Sequence, residues 1–208
     1  NLFSETGPIE AKILKFYAVE SSDTSARLEF QVEVKGNDVQ TGKPYAAFRV
    51  MDRVLSLIRE ENDWKVQQYG PVESDWAMQL ASAGSVAERT RLLEQRPEWA
   101  SMDTLQELRT LAQNQRRQGK LDLAQQLVEI MFELTSKLNL PPATGTAWLT
   151  RGEIEVAVGK FDDAAASFQK SLQFIEGDRA ESIVVELYIA DAWHQSRQFE
   201  REFEVVDN

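Results

Sequence analysis

The segment Gln118-Gly119-Lys120-Leu121-Asp122-Leu123-Ala124 returns 40 residues later (159 − 119) as Val158-Gly159-Lys160-Phe161-Asp162-Asp163-Ala164. A repeat of this kind restricts the chain to folds that stack one supersecondary unit on the next. In each copy the glycine suits a tight turn that needs positive φ, and the large apolar residue two positions later plugs the turn. Asp122 and Asp162 are expected to cap the helix that follows. Ala124 and Ala164 are small where a neighbouring helix would cross at short distance. Each copy reads as helix, turn, helix.

Helical periodicity extends back to Ser74. Ser74-Asp75 predicts a cap for a short helix through Leu80, Ser85 with Glu88 predicts a capping box for a helix ending before Pro97, and Ser101 predicts a cap for a helix through Arg117. Upstream the period changes to two. In Ala26, Leu28, Phe30, Val32 and Val34 the apolar side chains alternate with Arg27, Glu29, Gln31, Glu33 and Lys35, the pattern of a half-buried strand. It ends at Gly36-Asn37-Asp38, and a Thr41-Gly42-Lys43-Pro44 loop follows. Ile9 to Glu20 reads as a preceding strand; Arg49 to Arg59 and Trp64 to Tyr69 read as a hairpin joined by Glu60-Glu61-Asn62-Asp63. The predicted class is α+β: a small curved antiparallel β-sheet in residues 1–73, then an α-helical hairpin array in 74–208, with hairpins near 101–138, 143–176 and 180–208.

The third hairpin, from about Ala180, has Ala190, Trp193, Arg197 and Phe199 in register but Glu202 where a small residue is expected, so it reads as degenerate or truncated. The extra length of the repeat is expected in a loop from Asn139 to Gly145, around Pro141-Pro142. Trp148, Gly152, Gly159, Ala164, Phe168 and Leu172 in the second hairpin, with Leu108, Ala112, Gly119, Ala124 and Val128 in the first, resemble the tetratricopeptide repeat, whose usual period is about 34. The resemblance covers residues 101–208 and implies an α-solenoid that binds a protein or peptide on its concave face. The sheet segment ending in Asn62-Asp63-Trp64-Lys65-Val66 is similar to the last strands of a nuclear-transport-factor-like, or SnoaL-like, domain. Together the two resemble N-terminal regions of large bacterial repeat proteins, some of which carry a CHAT peptidase domain. Asn1 in place of Met, with no basic-then-apolar leader ahead of Ile9, predicts that the chain is a piece of a longer protein.

A formal net charge of −11 argues against binding a nucleic-acid backbone. No apolar run approaches the roughly 18 residues of a membrane span. With no cysteine, thiolate metal sites and cysteine nucleophiles are excluded. The compartment stays open, with the cytoplasm the favoured expectation. His194 is the only histidine, and no nucleophile motif, calcium-loop spacing or phosphate-cradling glycine pattern accompanies it. No catalytic residue, metal or cofactor is expected, and the five tryptophans read as seams of the core. The alternative is a small-molecule binding domain or enzyme with a pocket on the curved sheet, using Tyr17, Asp52 and Arg53.

For a binding scaffold, partner contacts should come from the first helix of each hairpin. Arg109, Gln113 and Arg116 share one stripe of the first such helix, with Arg117 beside it. The matching positions are Thr146, Thr150 and Glu153 in the second hairpin and Tyr188, Asp191 and His194 in the third. The basic stripe predicts an acidic or carboxylate-ended peptide as the ligand.

Overall fold

The computed structural model describes residues 10–37, 41–44, 50–175 and 179–197. The chain divides into two compact units, Asn1–Asp75 and Trp76–Asn208.

The first unit is a four-stranded antiparallel meander in the order β1 (Glu10–Ser21), β2 (Ser25–Lys35), β3 (Val50–Glu60), β4 (Asp63–Pro71). The β3–β4 turn holds Glu61 at φ 50° and Asn62 at φ 73°, the two positive values that a twist-matched two-residue hairpin turn requires. Register shifts between Ile13 and Lys15, between Phe16 and Ala18, and opposite Ser56/Leu57 mark bulges, which bend strands and deepen the twist of the sheet. Ile9, Asp38 and Arg49 lie outside the described residues.

The two faces of the sheet do not divide as alternation predicts. The apolar face pairs Phe16 with Phe30, Val19 with Leu28, and Leu57 with Val66, yet Phe16 is 50% exposed, Val19 61% and Val66 64%. On the opposite face Glu29 is 4% exposed and lies across from the fully buried Val54. Glu29 is tolerated there because Arg27 pairs with it and also places Nη2 2.5 Å from Asp75 Oδ2. Burial lowers the Arg27 pKa, but its hydrogen bonds and charge pairing with Asp75 and Glu29 outweigh that and raise it. A raised basic pKa contributes stability at every pH below its unfolded value, so this contribution is lost only in strongly alkaline solution.

Helix α1 (Val72–Ser82) follows β4 directly. The expected cap at Ser74-Asp75 is therefore corrected: both lie within the helix, and Asp75 is occupied by Arg27. Next come α2 (Val86–Gln95), a 3-10 turn (Pro97–Trp99), α3 (Met102–Arg117), α4 (Leu121–Leu138), α5 (Pro141–Val158), α6 (Phe161–Leu172) and α7 (Arg179–Gln195). Ser85 accepts the Glu88 N–H at 3.2 Å and Ser101 accepts the Thr104 N–H at 3.2 Å, as the expected caps require, while the Glu88 carboxylate takes the Gly84 N–H at 2.9 Å, one residue before the Ser85 N–H that a capping box uses. Arg89 joins α2 to α4 through two 2.7 Å bonds to Glu133, Nε to Oε2 and Nη2 to Oε1.

The repeated segment makes the same turn twice. Gly119 has φ 74° and Gly159 φ 80°. The Lys120 and Lys160 N–H groups reach back to Gln115 and Glu155 carbonyls at 2.9 Å, while the Gly119 and Gly159 N–H groups donate to Arg116 and Val156 at 3.0 Å. These crossed bonds terminate a helix on a left-handed residue. The expected role of Asp122 and Asp162 is corrected. Lys120 and Lys160 are the N-cap residues, without a side-chain cap, and the aspartates sit in the first helical turn, where a carboxylate complements the helix dipole. A Cβ on either glycine meets nothing within 4 Å, so only the backbone resists substitution. Gly159→Ala should therefore cost about 1–2 kcal/mol in the urea unfolding of the helical unit.

The expected Asn139–Gly145 loop is also corrected. Asn139 ends α4 in the left-handed conformation and α5 begins at Pro141, where a proline is accommodated because its missing N–H has no intrahelical partner. The 40 positions between Gly119 and Gly159 (159 − 119) are filled mainly by α4 and α5, each 18 residues long. Consecutive helices from α3 to α7 pack on one another, and α3 also touches α5. Ala124 and Ala164 are fully buried, as are Leu105, Leu108 and Ala112. Trp76, Trp99 and Trp193 are core residues, whereas Trp64 is 47% exposed. Phe199 and Glu202, expected in a third hairpin, lie outside the described residues.

Candidate functional site

The contact between α3 and α5 assembles three of the residues selected from the sequence. Arg109 Nη2 donates to Glu153 Oε1 at 3.0 Å and Gln113 Nε2 donates to Glu153 Oε2 at 3.0 Å. Arg109 and Gln113 lie one helical turn apart on α3, so a single carboxylate from α5 spans both. The Arg109 and Glu153 side chains retain 25% and 13% of their exposure, so the pair is largely desolvated. The acceptor that the stripe was expected to take from a ligand is supplied by the chain itself.

Arg116, one turn further along α3, is different. It is half-buried and, among the described residues, its side chain has no ion-pair or hydrogen-bond partner, and its Nε, like that of Arg109, is shielded from water. An unpaired guanidinium nitrogen in that position is costly until an acceptor arrives. Arg117 is exposed and lies 3.5 Å from the Asn114 side-chain oxygen.

The remaining selected positions fall into two groups. Thr150 is fully buried and donates back to the Thr146 carbonyl at 2.8 Å, which leaves it no surface to offer a partner. Tyr188 is 41% exposed and stacks on Phe168 with centroids 5.4 Å apart. Asp191 is exposed and accepts the Gln195 amide at 2.6 Å, and His194 is exposed. Around Tyr188, α7 leaves Ile183, Val184 and Leu187 exposed although Val185, Ile189 and Trp193 on its other side are buried. A helix apolar on all sides has more to bury than α6 covers.

In the sheet unit, Tyr17 and Asp52 are brought together: the phenol donates to Asp52 Oδ1 at 2.8 Å, and Gln31 Nε2 lies 3.1 Å from both oxygens. Arg53 is adjacent in sequence, so it projects from the opposite face, where it reaches the Met51 sulfur at 2.7 Å.

A network centred on Arg151 escaped the sequence reading. Its guanidinium stands 5.4 Å from the Trp148 ring centre and 5.8 Å from that of Phe132, while Nε bonds Glu155 at 3.2 Å. Glu155 also accepts from Ser167 at 2.6 Å. The spacing of Arg151 and Glu155 by four residues was the available signal. Among the described residues no helix is long and apolar enough to cross a membrane. Comparison with protein-family models gives no match, and comparison with curated proteins gives none.

Proposed function

We propose that residues 101–208 form a tetratricopeptide-type solenoid that binds a peptide segment of another protein, making the chain a docking scaffold without catalytic activity of its own. The observation that carries this reading is the lateral contact of α3 with α5 through Arg109, Gln113 and Glu153, beside an Arg116 with no acceptor among the described residues. Side-by-side first helices are what a solenoid offers to a ligand. In this reading Arg109 and Gln113 hold the groove together, and Arg116 with Arg117 supplies charge for an acidic or carboxylate-ended peptide. The exposed apolar residues of α7 receive its apolar part. A net charge of −11 favours a protein partner over nucleic acid.

The two arginines separate structure from binding. Arg116→Ala should weaken a bound acidic peptide by about tenfold or more while leaving the melting temperature unchanged or raised, because it removes an unsatisfied donor. Arg109→Ala should lower the melting temperature by stranding Glu153. Fluorescence anisotropy with carboxylate-ended peptides, alongside thermal melts, checks both, and unchanged affinity in Arg116→Ala rejects the groove.

A second reading, a small-molecule site on the sheet, is favoured by the Tyr17–Asp52–Gln31 cluster. A metabolite that raises the melting temperature of the wild type but not of Asp52→Ala would establish it.

A further inference from the structure

Strand β3 carries Arg53, Leu55, Leu57 and Arg59 at alternate positions, so the four side chains share one face of the sheet. Antiparallel partners share a face as well. Leu55 therefore belongs to the row Val19–Leu28–Leu55–Tyr69 across all four strands, and Leu57 to the row Ala26–Leu57–Val66. Phe16 and Phe30 lie in the Arg53 row, and Trp64 pairs with Arg59.

This apolar band is open. Tyr69 is 58% exposed, Val19 and Val66 more so, and Leu28, Leu55 and Leu57 are half-buried rather than sealed. Phe16, Val19, Trp64, Val66 and Tyr69 leave on the order of 500 Å² uncovered, at roughly 150–250 Å² for a whole aromatic side chain. One side of a standard protein interface buries about 800 Å², a little over half of it apolar, so the band has the area that a macromolecular partner covers.

The charge on the face is of one sign. Among its described residues there is no carboxylate, while Arg53 and Arg59 stand about 20 Å apart along β3, one at each end of the band. Neither forms an ion pair among the described residues. Arg53 reaches the Met51 sulfur and the Asp52 carbonyl, and Arg59 is exposed. A second copy laid on this face would bring arginines against arginines with no carboxylate to separate them, a like-charge juxtaposition that disfavours it. A net charge of −11 likewise disfavours an anionic bilayer.

We propose that this face docks an amphipathic helix of another protein, about 14 residues long, with an acidic side chain near each end of its apolar stripe. Such a helix rises about 20 Å, the separation of the two arginines, and its diameter of about 10–12 Å suits the roughly 14 Å width of four strands. Its apolar stripe covers Val19, Leu55, Leu57, Val66 and Tyr69. Its carboxylates meet Arg53 and Arg59, whose planar guanidinium groups donate to them in pairs. The site shares no residue with the Arg116 groove and does not depend on it.

The probe is a leucine- and alanine-based helical peptide of about 14 residues with glutamate at each end of its apolar stripe, acetylated and amidated so that it carries no terminal carboxylate. Its counterpart has lysine in place of glutamate. Calorimetric titration of the full chain should show saturable binding of the acidic helix and binding of the basic one weaker by about tenfold or more. Arg53→Gln/Arg59→Gln should erase that difference at unchanged circular dichroism, and Arg59→Gln alone, at an exposed position, should narrow it. Arg116→Ala should change neither, so failure here and failure of the groove assignment are distinguishable. No saturable binding of the acidic helix, equal affinity for the two helices, or a preference that survives the arginine substitutions overturns the proposal. So does a dimer in sedimentation that Val66→Asp abolishes, which gives the face to a second copy, or binding to phosphatidylserine vesicles lost in the same variant, which gives it to a membrane.

Discussion

Arg27→Ala should destabilise the sheet unit by about 3–5 kcal/mol at neutral pH, the usual cost of removing one partner from a buried charge cluster. The substitution removes the guanidinium that bonds both Glu29 and Asp75, which are 4% and 9% exposed. Hydrogen exchange at the β2 and β3 amides reads this out, since it isolates the local opening free energy of the sheet from that of the helices. An Arg27→Met/Glu29→Leu/Asp75→Leu variant should recover most of the loss, because an apolar replacement of similar volume has no charge to desolvate. If Arg27→Ala protects its amides as well as the wild type does, the cluster is not what holds this face closed.

Gly152→Ala should destabilise the helical unit by about 1–3 kcal/mol, against the helix propensity of alanine. A Cβ at position 152 would stand 2.4 Å from Phe168 Cε1, 2.6 Å from Cδ1 and 2.9 Å from Cζ. Phe168 is 2% exposed and packed among Ala164, Val185 and Ile189, so its ring has nowhere to retreat. Phe168→Ala alone should cost about 3–5 kcal/mol. In that background Gly152→Ala should become neutral or stabilising, a sign reversal that a double-mutant cycle by urea unfolding measures directly. Additive losses would mean that the two residues do not touch.

The repeated turn was legible from the sequence because backbone geometry dictates it: a left-handed residue between two helices selects glycine wherever the fold needs it, and Gly119 and Gly159 obey. The change of period near Ser74 was legible to within a few residues, with Val72 as the start of the first helix. What stayed hidden depends on partners distant in the chain. Glu29 belongs to a polar alternation with Arg27, and that local pair gives no sign of burial until Arg27 also reaches Asp75, 48 positions away in the chain. Pro141-Pro142 resembles a loop in isolation, yet proline suits the first turn of a helix equally well, and the left-handed Asn139 decides the matter. Arg109, Gln113 and Glu153 were each selected as contact residues, but their mutual pairing follows from how α3 lies against α5, which no local pattern encodes.

The most direct test of a docking role is a selection of carboxylate-ended peptides displayed on phage against the full chain, followed by affinity measurement on wild type and Arg116→Ala. The expected result is an acidic C-terminal consensus whose affinity falls about tenfold or more in Arg116→Ala at unchanged melting temperature. Peptides that bind both proteins equally, or a selection that yields no acidic consensus, would contradict it.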